Sequence, residues 1–215
     1  MILSPGRRFI FVHIPKTGGT SMALALEARA HRDDILIGDT PKAKRRKARA
    51  TKLAETARGR IWKHSTLADL DGALSPEEIG AMFCFCLVRN PWDRMVSYYH
   101  WLRAQAFDHP AVGHAQAHDF AGFVRHDHTQ ATLRAWPSAR YMRDARGHEH
   151  GHFLRLEHLD QDMGPLARHL GFTPDMPHEN RSDRVADYRA SYDRTTREVV
   201  ADVCAEDIAR FGYVF

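Results

Sequence analysis

A lysine placed just before two glycines and two hydroxyl residues, Lys16-Thr17-Gly18-Gly19-Thr20-Ser21, makes a set of groups suited to holding an oxyanion. Glycines let the backbone approach an anion closely, Thr20 and Ser21 add hydroxyl donors, and Lys16 adds a full charge. The run before them, Phe9-Ile10-Phe11-Val12-His13-Ile14, is apolar, β-branched and aromatic and stops at Pro15, the pattern of a strand buried on both faces. Thr20 or Ser21 is then placed to cap a helix that carries Met22, Leu24, Ala25 and Leu26 and runs to about Ala30. Strand, glycine loop and helix start together aim backbone N–H groups and a positive helix end at one point. That point suits a phosphate.

A second set of groups stands where the strongest strand pattern of the chain, Met82-Phe83-Cys84-Phe85-Cys86-Leu87-Val88, meets Asn90-Pro91, a cap and first-turn proline in the order that opens a helix. Arg89 precedes the cap. Ser97 follows seven residues beyond Asn90, a rise of about 10 Å on roughly the same helix face. An arginine reaching forward and a serine hydroxyl pointing back meet on one phosphate, with the arginine giving paired N–H donors. The phosphate loop of magnesium-dependent nucleotide enzymes carries its lysine after the last glycine, before the Ser or Thr that binds the metal. Here the lysine comes first, and the second strand ends in Val88-Arg89 where a magnesium-holding aspartate is expected. The site reads as phosphate held by protein cations, with no metal. From these residues alone a nucleoside-kinase-type phosphotransferase and a non-catalytic anion- or nucleic-acid-binding module both stay open.

The elements around these junctions alternate. Thr40-Pro41 starts a helix through the basic stretch Lys42 to Lys52; Gly59-Arg60-Ile61-Trp62-Lys63-His64 reads as a short strand ending at His64. Phe120, Phe123 and Val124 give a helical stripe. His152 to Leu156 reads as a strand, and a helix from His158 to about Leu170 is stopped by Gly171. A last helix puts Val200, Cys204, Ile208 and Phe211 on one face. This order predicts an α/β fold, a single three-layer domain over residues 1–215 with a mainly parallel central sheet and ligand sites beyond the carboxyl ends of its strands.

Bulk properties agree with such a domain: 215 residues, 43% hydrophobic and 27% charged, are enough for one good core. No apolar run approaches the roughly 18 residues that span a bilayer, and Met1 to Arg8 lacks a leader pattern, so a cytoplasmic protein is expected. Cys84, Cys86 and Cys204 read as free thiols in a reducing compartment. The net charge of +4 comes largely from Lys42 to Lys52, which holds seven of the 31 basic residues and no acid; such a run is either a solvated helix face or a surface that steers an anionic partner.

The segments Phe11-Val12-His13-Ile14-Pro15-Lys16-Thr17-Gly18-Gly19-Thr20-Ser21 and Leu87-Val88-Arg89-Asn90-Pro91-Trp92-Asp93-Arg94-Met95-Val96-Ser97-Tyr98-Tyr99 together resemble the two nucleotide signatures of the sulfotransferase family. The likeness is closest to bacterial members and to the Golgi carbohydrate sulfotransferases of the heparan sulfate 2-O type, which share His-Ile-Pro-Lys-Thr. It extends to Phe153-Leu154-Arg155-Leu156-Glu157-His158-Leu159 and to the ending Phe211-Gly212-Tyr213-Val214-Phe215. The resemblance implies a P-loop nucleotide-hydrolase-like fold and 3′-phosphoadenosine 5′-phosphosulfate as donor, with adenosine 3′,5′-bisphosphate as product and no metal required. It implies that Lys16 and the donors of Thr17, Gly18, Gly19, Thr20 and Ser21 hold the 5′-phosphosulfate, while Arg89 and Ser97 hold the 3′-phosphate. His178-Glu179-Asn180-Arg181-Ser182 falls where the family has a loop over the nucleotide, but departs from the Arg-Lys-Gly of the cytosolic branch.

Sulfuryl transfer to a hydroxyl needs a base for the acceptor proton and positive charge for the leaving oxygen. Lys63-His64-Ser65-Thr66-Leu67 resembles the Gly-His segment that carries the base in the carbohydrate branch, with Lys63 in place of Gly, which makes His64 and Lys16 the expected catalytic pair. A neutral imidazole suits this work near pH 7. His13 is expected to buttress the loop. Gly147-His148-Glu149-His150-Gly151-His152 reads as a solvent-facing turn, not a metal site. His100, His109, His114 and His118, with Trp101 and Trp136, border the region where acceptor contacts are expected. The acceptor is read as a polar or anionic molecule such as an anionic glycan; no nucleic acid partner is expected, and the sequence leaves the oligomeric state open.

Overall fold

The computed structural model describes residues 1–177 and 187–215. They form two compact units, one of Met1–Val88 with the chain from Ser138 to 177, the other of Arg89–Pro137 with 187–215. The segment His178 to Ser182 lies outside the described residues.

The first unit is a mixed α/β assembly on a five-stranded sheet of β1 (Ile2–Ser4), β2 (Phe9–Val12), β3 (Ile35–Leu36), β4 (Phe83–Val88) and β5 (His152–Arg155), in the order β3-β1-β2-β4-β5. The expected strands β2, β4 and β5 lie side by side in parallel, with Phe11 opposite Phe85 and Cys86 opposite Phe153. Phe9, Phe11, Phe85, Leu87 and Leu154 pack with Met22, Ala23 and Leu26 of α1 (Gly19–Ala28) and with Met163, Leu166 and Leu170. The alternate positions Ile10, Val12, Cys84, Cys86 and Val88 are just as buried, so the sheet is covered on both faces. Each such side chain withdrawn from water contributes about 1.5–3 kcal/mol, which makes this sheet the fixed base of the loops at its ends. Burial pushes the Cys84 thiol up to about 12, so Cys84 is a packing residue; Cys204, in the other unit, is likewise free and raised.

Four features depart from the sequence reading. Strands β1 and β3 add an antiparallel edge. The four residues Pro5 to Arg8 fold back, with the Arg8 N–H donating to the Pro5 carbonyl at 3.3 Å, and so short a connection permits only an antiparallel neighbour. Gly59 to His64 is not a strand. The Ser65 hydroxyl takes the Trp62 N–H at 2.8 Å and donates toward the Arg60 and Trp62 carbonyls, so a local turn captures the backbone groups that a ladder would need. The helix after His158 is broken into Leu159–Asp162 and Gly164–Leu170, because Pro165 has no N–H for the carbonyl one turn back; Gly171, at φ 75°, stops it as expected. The last helix divides at Cys204 into Arg194–Val203 and Ala205–Phe211.

The basic stretch is helical as read, in two pieces, α2 (Pro41–Arg45) and α3 (Lys47–Thr56), with the Thr40 side chain capping the first. A short helix, α4 (Pro76–Gly80), precedes β4. In the second unit α5 (Pro91–Arg103) starts at Asn90, whose Oδ1 accepts the Trp92 N–H at 3.1 Å. Around it, Trp92, Met95, Tyr99 and Leu102 pack with Phe123, Val124 and Val200 from helices Phe120–Arg125 and Arg194–Val203. Among the described residues no helix is long and apolar enough to cross a membrane.

Candidate active site

The loop after β2 is built for close approach. Lys16 has φ 65° and Gly18 φ 83°, both left-handed, so the chain turns twice within three residues. For a lysine this conformation is costly, and strain of that kind collects at functional positions. Gly18, not Thr20 or Ser21, is the cap of α1; it has no side chain to offer, and the first turn holds no acidic residue. The first intrahelical bond is from Met22 N–H to the Gly18 carbonyl, which leaves the N–H groups of Gly19, Thr20 and Ser21 without an acceptor inside the helix. An uncapped helix start with Lys16 beside it is an anion cradle in charge and in geometry. The Thr17 hydroxyl is spent on the loop itself, donating to the Ile14 carbonyl at 2.9 Å, so only its backbone is left to meet a ligand.

Both glycines are sterically required. A Cβ on Gly18 would stand 2.9 Å from Leu156 Cδ1, and one on Gly19 would stand 2.0 Å from the His13 ring. His13 therefore backs the loop, as the sequence implied. Gly19→Ala must push that ring aside and is expected to lower stability by about 2–4 kcal/mol in urea unfolding; a loss below about 0.5 kcal/mol would show that the packing is slack.

His64 is held against the same strand. Its Nδ1 lies 2.7 Å from the His13 carbonyl, and since a carbonyl only accepts, Nδ1 carries the hydrogen and Nε2 the lone pair. The ring meets His13 edge to face at 4.7 Å and Trp62 at 5.0 Å. Removal from water lowers its pKa to about 4, the hydrogen bond to His13 opposing and the nearby Lys63 assisting. His13 is pushed well below its usual value, again chiefly by burial. Both imidazoles are thus neutral near pH 7, and His64 offers a lone pair held in a fixed tautomer. The turn around Ser65 delivers His64 to this place, although the strand expected to do so is absent.

Arg89 and Ser97 belong to the second unit. Arg89 Nε and Nη2 both donate to Asp93 Oδ2, at 2.8 and 2.6 Å, one turn along α5. This carboxylate was not singled out in the sequence, though its spacing four residues on was a usable signal. Ser97 is buried on α5 at 5% exposure. Trp92 is core, its Nε1 donating to the Arg197 carbonyl, whereas Trp101 and Trp136 are partly exposed. In the His-rich turn, Asp144 accepts from the N–H groups of Arg146 and His148 and pairs with His150 Nε2 at 2.7 Å, which closes the turn on itself. Among the described residues no group of three or more His, Cys, Asp or Glu side chains is arranged to hold a metal.

A strand running into a glycine loop and an uncapped helix start, with a neutral imidazole bonded to the residue that follows the strand, brings groups able to hold an anion and a group able to take a proton to one end of the sheet. The sequence profile of the sulfotransferase family matches residues 1–214, and the chain belongs to that family. A search of curated proteins returned no match.

Proposed function

We propose that this chain is a sulfotransferase that uses 3′-phosphoadenosine 5′-phosphosulfate, in a P-loop nucleotide-hydrolase-like fold, and moves the sulfuryl group in line to the hydroxyl of a polar or anionic acceptor such as a carbohydrate. The observation that carries this reading is the uncapped, acid-free start of α1 beside Lys16, with His64 hydrogen-bonded to the strand that leads into it. The residues fit the donor: Gly18 makes the left-handed turn and Gly19 packs on His13, so the loop runs straight into a helix start with no side-chain cap and no acidic residue, and the cations are the protein's own. When bound, the donor supplies a sulfuryl group on a phosphate leaving group. Lys16 and the N–H groups of Gly19, Thr20 and Ser21 then stabilise charge on the oxygen that departs. His64 Nε2 takes the proton from the acceptor hydroxyl as the new sulfur–oxygen bond forms. Arg89, oriented by Asp93, and Ser97 are assigned to the 3′-phosphate. No step calls for a metal, and the family likeness favours the carbohydrate branch.

Calorimetric titration tests the donor. Adenosine 3′,5′-bisphosphate should bind equally well with and without a chelator, and Arg89→Ala should weaken it about ten- to a hundred-fold, the worth of charged hydrogen bonds. The same variant should bind adenosine 5′-monophosphate as the wild type does. Magnesium-dependent binding of ATP in preference to the bisphosphate would replace this reading with a kinase.

A further inference from the structure

Next to His64 the first unit holds a cavity of about 410 Å³, lined by Leu36, Ile37, Gly38, Asp39, Ala43, Lys44, Lys47, Ala50, Trp62 and Lys63. Its volume is in the range of small-ligand sites, about 300–1,000 Å³. It gathers charge from the basic stretch. Of the seven basic residues from Lys42 to Lys52, Lys42 is turned to the Glu27 carbonyl, Arg46 to the His31 carbonyl, and Arg49 to the Arg32 carbonyl and Asp33. Lys44 and Lys47 line the cavity instead. The one carboxylate of the wall, Asp39, is paired with Lys63 and held below the usual carboxylate range by it. The wall therefore carries three ammonium groups against one carboxylate, and with Lys63 and Asp39 paired the surplus positive charge is that of Lys44 and Lys47, over an apolar lining of Leu36, Ile37 and Ala43.

The cavity is joined to the candidate chemistry by a continuous row of rings. Trp62, which lines it, touches His64; His64 touches His13; His13 backs Gly19 at the head of α1. We infer that this cavity is the acceptor pocket and that it takes a sugar ring bearing a carboxylate or ester sulfate, which Lys44 and Lys47 hold while Trp62 walls the ring beside His64. The inference rests on the sulfotransferase reading for its chemistry, but the pocket's preference for a charged ring stands on its own lining.

Three methyl glycosides separate the possibilities: the β-glucuronide, the β-glucoside 6-sulfate and the uncharged β-glucoside. Their binding to the full chain is measured by ligand-observed NMR titration, with wild type and with Lys44→Ala/Lys47→Ala. A tenfold or greater preference for one or both charged glycosides, lost in the double variant, is the expected result. Preference for the glucuronide alone assigns the charge to a carboxylate, and for the 6-sulfate alone to an ester sulfate. Equal binding of all three, no binding of any, or an unchanged preference in the double variant overturns the inference. Adenosine 3′,5′-bisphosphate titrated into the same two proteins reports on the donor site separately. If the nucleotide fails to bind while the charged glycosides do, the donor reading falls and the pocket remains.

Discussion

Replacing Lys16 by glycine is expected to abolish most of the sulfuryl transfer while leaving the protein at least as stable as before. The two effects have separate origins. The side chain supplies a full positive charge at the cradle, and removing one such stabilising group from a reaction's leaving oxygen costs roughly a hundred- to a thousand-fold in kcat. The backbone, at φ 65°, is in a region where a lysine pays about 1 kcal/mol and a glycine does not. Lys16→Ala keeps the backbone penalty and loses the charge, so it should match the glycine variant in activity and fall below it in stability by up to about 1 kcal/mol. Activity near wild type in either variant would remove Lys16 from the mechanism; a large stability loss in the glycine variant would mean that the left-handed turn is not a strained one. Lys16→Arg restores charge but not shape, and should recover only part of the rate.

His64→Ala should reduce kcat by about a hundred- to ten-thousand-fold, the range of general base catalysis, with adenosine 3′,5′-bisphosphate binding unchanged. The pH profile distinguishes a base from a structural histidine. A base acts unprotonated, and the pKa of His64 is lowered to about 4, so the rate is lost only as pH falls through that value. For donor binding to the free enzyme, kcat/KM should be flat from pH 8 to about pH 5 and decline below. In the donor complex the phosphate charges favour the imidazolium, so the acid limb of kcat should lie at higher pH than that of kcat/KM. Identical limbs for the two parameters, or the same limb in His64→Ala, would rule out His64 as base.

What could be read from the chain and what could not follows from how local each signal was. The run from Phe83 to Val88 and the Asn90-Pro91 start of α5 were legible because strand, cap and proline are all specified within a few residues. The first cap was misplaced because Thr20 and Ser21 are good capping residues by type, whereas the actual cap, Gly18, is selected by a left-handed backbone that composition does not reveal. Ile61 and Trp62 gave the look of a strand, yet one hydroxyl, that of Ser65, decides the segment for a turn. Strands β1 and β3, with three and two residues, are too short to carry a pattern. His64 was singled out by resemblance, but its anchor, the carbonyl of a residue 51 positions away, and the cavity beside it exist only after folding.

That anchor fixes how precisely the proposed base is aimed. His64 is carried on an irregular segment, yet its ring is referenced to the backbone of the residue following β2, the strand from which the anion cradle also springs. Any tilt of that strand carries the proposed donor site and the proposed base together, and the error in their separation is set by one 2.7 Å bond and not by the length of the connecting chain. The turn from Arg60 to Trp62 is closed by the Ser65 hydroxyl and packs its indole on the His64 ring, so the wall of the proposed pocket and the proposed base are referenced to the same strand.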